Sequence, residues 1–269
     1  MDLVMEILKF LIFISVVPSI FYMWMVYKKD KIEKEPVSLI IKLFIFGGLS
    51  IIIAGLVELG LDDFVQNFVD ESYFTLYNFI KAFFVVALVE EGVKFIILKL
   101  ATWKNNNFNY TFDAIVYAVA IGLGFAAFEN VLYVLTSGIV VAFLRAFISI
   151  PGHLTFGVLM GIFYAKAKVC ERNNDYSGKT KNIVLSVLIP VLLHGFFDFC
   201  LMEQNVASLL IFGILLISIY ILLFRSLAKY SNEDRKINVS SNNEFDSVIE
   251  DMDYDSYINQ AADDFKDFN

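Results

Sequence analysis

Seven stretches of this sequence run for about 20 residues with few charges, the length that crosses roughly 30 Å of hydrocarbon as a helix. They fall at about 8–27, 37–59, 81–100, 113–136, 139–165, 183–202 and 206–224. Inside a bilayer every backbone polar group must find its partner within the protein. Long continuous apolar blocks therefore specify helices. A barrel would instead show short strands of alternating polarity, and none is seen. The expected fold is all-α, a polytopic transmembrane bundle of about seven spans. The composition agrees: 58% of the 269 residues are hydrophobic, against nearer half in a soluble domain.

The first block lacks a basic leader region and an A-x-A cleavage site, so it is expected to stay as a helix. The segment 61–80 mixes acids with aromatics and is expected to lie along the membrane interface. Lysine and arginine gather in alternate loops, 28–36, 101–112 and 166–182, and again after the last span. The loops 61–72, 137–138 and 203–205 hold none. Basic loops stay in the cytoplasm, so the N-terminus is expected outside and the C-terminus inside the cell.

The net charge of −8 belongs to one end of the chain. Residues 231–269 carry 11 acids against 3 bases, and the remainder is neutral. That tail is poor in large aliphatics and is expected to be disordered, leaving 1–230 as the bundle. The two cysteines, Cys170 and Cys200, fall toward opposite faces in this topology, and no disulfide is expected. No phosphate loop, dinucleotide motif or basic nucleic-acid patch is present. The bilayer is an expected partner and nucleic acid is not.

Ionisable residues within spans are costly and usually face a cavity, a partner or a pathway. Eight of them cluster in four consecutive spans. The third holds Glu90, Glu91 and Lys94, the fourth Glu129, the fifth Arg145 and His153, and the sixth His194 and Asp198. Helical spacing lets Lys94 reach Glu90 and Glu91, and sets His194 beside Asp198 and Glu129 beside Tyr133. With neutral histidines the cluster has four acids against two bases, unfavourable at low dielectric. Both histidines of the chain lie in this set.

Three chemistries use such a set. A carboxylate can act as general base on water while histidine and acidic groups hold a carbonyl and return the proton, which suits peptide hydrolysis. Two histidines with carboxylates could instead bind zinc, although no H-E-x-x-H is present. A proton- or ion-coupled transporter uses the same residue types, but no duplicated half is seen. Small residues in "AIGLGFAAF" (120–128) and the pair Gly157 and Gly161 favour close helix approach. Pro151 and Pro190 are expected to kink their helices.

Four motifs in order resemble the PrsW family of intramembrane proteases. They are "EEGVKF", "FENVLY", "RAFISIPGH" and "HGFFD", which together cover about 81–202. The family is similar in turn to the CAAX prenyl endopeptidases. The resemblance implies a glutamic-type endopeptidase that makes the first cut in a membrane-anchored anti-sigma factor during envelope stress. Its partner would be a single-span anti-sigma factor, and no cofactor is expected, zinc being the alternative. It implies catalytic roles for Glu90, Glu91, Glu129, His153, His194 and Asp198. Lys94, Tyr133 and Arg145 would balance charge or orient. The choice between Glu90 and Glu91 as base stays open, because adjacent positions diverge by about 100° on a helix.

Overall fold

The computed structural model describes residues 2–70 and 72–237. They form α1 (Asp2–Lys29), α2 (Val37–Gln66), α3 (Phe74–Ile80), a π-helical segment (Lys81–Ala87), α4 (Leu88–Thr102), α5 (Asp113–Ser137), α6 (Ile139–Phe147), α7 (Ser149–Arg172), α8 (Tyr176–Met202) and α9 (Val206–Asn232). Six helical runs among the described residues are long and apolar enough to cross a membrane. The expected third span is the remaining one. It is a continuous run from Phe74 to Thr102 whose apolar character is broken by Glu90, Glu91 and Lys94.

Several boundaries differ from the sequence expectation. The segment 61–80 is not one separate element. Its start extends α2 to Gln66, and its end, from Phe74, begins the third helical run. The fifth span is broken at Ile148, three residues before Pro151. Proline has no N–H to give the carbonyl four residues back. That carbonyl, on Phe147, is taken by the Tyr220 hydroxyl of α9 at 2.7 Å.

Helix α5 sits at the centre and is buried from Asp113 to Ala127. Glycines let its neighbours reach its backbone. A methyl group on Gly124 would lie 1.9 Å from the Phe44 carbonyl of α2, and one on Gly161 of α7 would lie 2.5 Å from the Ile115 Cα. The Gly157 and Gly161 pair thus acts as a small-residue contact. Gly195, beside His194, has the same use. A methyl there would meet the Phe83 ring at 2.5 Å, so α8 lies directly against the π segment. A π turn shifts the register of the helix after it, and such segments are often found at functional sites. Here it leads into Glu90 and Glu91.

The bundle has two distinct ends. At one, the basic loops meet: Lys31 donates to Asn232 at 2.8 Å and Asn109 donates to Glu33 at 3.2 Å. At the other, Asn78 and Thr75 both donate to Glu203 at 3.1 Å. The chain was expected to leave the bundle at residue 230, but α9 continues to Asn232 and the segment to Ile237 folds back on the basic end. Ile237 is buried and its N–H donates to the Asn109 carbonyl at 2.7 Å. The expected disordered tail otherwise lies outside the described residues.

Candidate active site

The four motif-bearing helical regions converge on one buried network. Lys94 Nζ donates to Glu90 Oε2 at 2.9 Å and to Glu91 Oε1 at 2.8 Å, as their helical spacing predicts. It also lies 3.4 Å from His153 Nδ1 and 4.0 Å above the Phe125 ring. The same Glu91 oxygen is 3.0 Å from His194 Nδ1, which ties α4 to α8. His194 Nε2 faces Asp198 Oδ2 at 3.3 Å, and Phe156 stacks on its ring at 4.7 Å. Both nitrogens of His194 meet carboxylates, an arrangement an imidazolium satisfies with two donated bonds.

His153 links this group to a second one. Its Nε2 is 3.0 Å from Glu129 Oε2. With Lys94 on the Nδ1 side, the network assigns the proton to Nε2, which donates to Glu129. Arg145 on α6 closes on the same Glu129 oxygen at 2.6 Å as an ion pair. Its guanidinium rests 4.1 Å over the Tyr133 ring, and its Nε has no hydrogen-bond partner. The two histidine rings stand 5.4 Å apart. All nine residues singled out in the sequence are therefore in this one region.

A cavity of about 680 Å³ opens beside the network. Glu90, Glu129, Tyr133, Arg145, His153, His194 and Asp198 line it, whereas Glu91 and Lys94 do not. This separates the two adjacent glutamates. Glu91 is 1% exposed and spent on Lys94 and His194, while Glu90 fronts the cavity. The cavity extends toward Lys81 and Gln204 at the end of the bundle opposite the basic loops.

Sequence reasoning missed Glu58. It faces the same cavity from α2, with its Oε1 buried and unpartnered. The signal was a lone acid one residue before the expected end of the second span, where a charge reads as interfacial. It makes a fifth acid against the two bases of the cluster. The aromatic supports, Phe125 and Phe156, were also invisible because both read as ordinary apolar positions.

Glu90, Glu91 and His153 each offer a ligand atom within 4.8 Å of the others, and carboxylate and imidazole donors suit zinc. The Lys94 ammonium stands among those same three groups, bonded to both carboxylates. A divalent ion at that point would meet a fixed positive charge. With Lys94 in place the residues do not fit a resident metal ion there.

The family model described as "PrsW family intramembrane metalloprotease" matches residues 35–225. A "Protease PrsW" of Oceanobacillus iheyensis is 35% identical over 224 residues, 83% of this chain and 97% of that protein. One of Clostridioides difficile is 34% identical, covering 84% of this chain and 94% of its own. One of Bacillus subtilis is 30% identical, covering 70% and 80%. No solved structure matches.

Proposed function

Since this chain belongs to the PrsW family of intramembrane proteases, we propose that it makes the first cut in a membrane-anchored anti-sigma factor. The reaction uses water activated by Glu90, without a metal ion. The observation that carries the choice of base is the division of labour between neighbours. Glu90 fronts the cavity, and Glu91 is buried behind it, holding Lys94 and His194.

The Glu90 carboxylate takes a proton from a water in the cavity as its oxygen attacks the scissile carbonyl carbon. The carbonyl oxygen becomes an oxyanion. Arg145, whose Nε is unpartnered, stabilises it. An ionised Asp198 would repel an oxyanion, and it already holds His194 Nε2. His153, donating to Glu129, orients the water through the Lys94 network. The C–N bond then breaks and Glu90 returns its proton to the leaving amine. General-base catalysis of this kind contributes about 10²–10⁴-fold.

The place of the cavity bears on the substrate class. It reaches toward the end that bears the loops without lysine or arginine. With basic loops in the cytoplasm, that end faces outward, the N-terminus is outside and the C-terminus inside. A single-span protein entering from the bilayer would be cut at its extracytoplasmic juxtamembrane region, as a first cut requires. The test is to co-reconstitute the full chain with a single-span anti-sigma factor and sequence the new N-terminus. A cut within a few residues of the outer membrane boundary is expected. A cut on the cytoplasmic side would overturn the assignment.

A further inference from the structure

Glu58 on α2 faces the catalytic cavity and takes part in none of the steps above. Among the described residues it makes no hydrogen bond and no ion pair, and its Oε1 is buried without a partner. The charges of Glu90, Glu129, Lys94 and His194 act on it across the cavity, but none of them touches it. Only one other described residue lines that cavity with a buried, unpartnered polar atom, namely Arg145 through its Nε. The cavity thus presents a spare acceptor and a spare donor.

Glu58 also lines a second hollow, of about 480 Å³, between α2 and the π segment. Ile51, Gly55, Lys81 and Val86 line both spaces, so the two meet. Ile52, Leu56 and Leu59 border the second one and are exposed, as lipid-facing residues are. At the end opposite the basic loops the two helical runs are bridged. Lys81 donates to Asp62 Oδ2 at 2.9 Å, and the Tyr77 hydroxyl donates to Asp62 Oδ1 at 2.8 Å. Deeper in the span they stand apart: a methyl group on Gly55 would meet nothing within 4 Å. The result is a crevice that leads from the lipid face to the catalytic cavity, with Glu58 at the junction.

A scissile bond in a transmembrane helix is closed to attack, because each C=O is bonded to the N–H four residues on. Unwinding frees N–H and C=O groups, and within the bilayer those must find partners in the protein. We propose that Glu58 is a substrate-binding residue. The substrate's single span lies in the crevice between α2 and the π segment, and the Glu58 carboxyl accepts a hydrogen bond from a backbone N–H of the stretch unwound beside the scissile bond. Arg145 serves the carbonyl side, as in the mechanism above, so the spare acceptor and the spare donor take the two kinds of group that an extended backbone offers. The choice of occupant rests on the protease reading given above.

The first test is kinetic, with the full chain and a single-span anti-sigma factor in liposomes. Glu58→Leu keeps the size of the side chain and loses the acceptor. Its KM is expected to rise about tenfold, the worth of one hydrogen bond to a charged group, with kcat unchanged. Glu58→Gln keeps a carbonyl oxygen in place and should recover most of that loss. A merely structural role would lower the unfolding midpoint of Glu58→Leu, and no fall is expected, because the oxygen removed has no partner. The second test needs no cleavage. In Glu90→Gln, with Cys170→Ala and Cys200→Ala, a substrate bearing one cysteine in the outer half of its span should form a disulfide with Gly55→Cys and not with Ile214→Cys, an exposed position on α9. If wild type cuts nothing while Gly55→Cys traps the span, the protease reading falls and the docking stands. Equal trapping at the two positions, or an unchanged KM in Glu58→Leu, would overturn the proposal.

Discussion

Glu91 and Asp113 are almost equally buried, at 1% and 0% exposed, and they live in opposite circumstances. Glu91 sits in a network where Lys94 and His194 meet one oxygen from two helices. Asp113 receives only backbone N–H groups on one oxygen and nothing on the other. In the first region, acids and bases from four helical regions are matched inside the protein, and Glu90, also held by Lys94, fronts a cavity. In the second, acids meet acids. A buried carboxylate is therefore not a functional signal by burial alone. Which partners it has decides whether it is a support or a reagent.

Substitutions should separate the two regions by size and sign. The largest effect is on activity: Glu90→Gln should lower the cleavage rate by about 10³-fold, measured in liposomes, while the unfolding midpoint stays close to wild type. If Glu90→Gln also unfolds the protein, Glu90 is a support like Glu91. Next, Glu91→Gln removes the carboxylate that Lys94 and His194 share and should destabilise by about 3–5 kcal/mol in denaturant or thermal unfolding. A neutral result would remove the contrast with Glu90.

The sign reverses among the buried acids at the basic end, Asp30, Glu35 and Asp113. Asp30→Asn should stabilise by about 1 kcal/mol, since it removes a buried charge and supplies a donor among acceptors that have no hydrogen-bond partner. Destabilisation there would show that Asp30 already has its counter-charge. The smallest effect is in pH. The carboxyls of Asp30 and Glu35 are raised by burial, from 3.8 to about 6 and from 4.5 to about 7. The folded state then binds more protons than the unfolded one across that interval. Stability should fall as pH rises from about 4 to about 7.

How much was legible in the sequence depends on how far apart the interacting residues are. Glu90 with Lys94, and His194 with Asp198, share a helix face, so their pairing can be read from spacing alone. Glu91 with His194 joins positions 103 residues apart, and no periodicity encodes which of two adjacent glutamates turns toward α8. That depends on the π segment and on Gly195, where α8 meets Phe83. Glu58 was hidden by its place at a span end. The basic-end cluster was hidden differently. Asp30 and Glu35 read as loop residues in a lysine-rich stretch, yet both are buried, and Glu35 is held by the Tyr117 hydroxyl of α5. The spans themselves were legible, because length and apolarity suffice to specify them.

The central claim is that Glu90 is the base of a metal-independent membrane protease. It is met most directly by one measurement: cleavage of a reconstituted single-span anti-sigma factor by wild type and Glu90→Gln, each with and without chelator. The account predicts that wild type cuts at the same rate with chelator present and that Glu90→Gln does not cut. Cleavage by Glu90→Gln near the wild-type rate, or a wild-type activity abolished by chelator and restored by zinc, would contradict it.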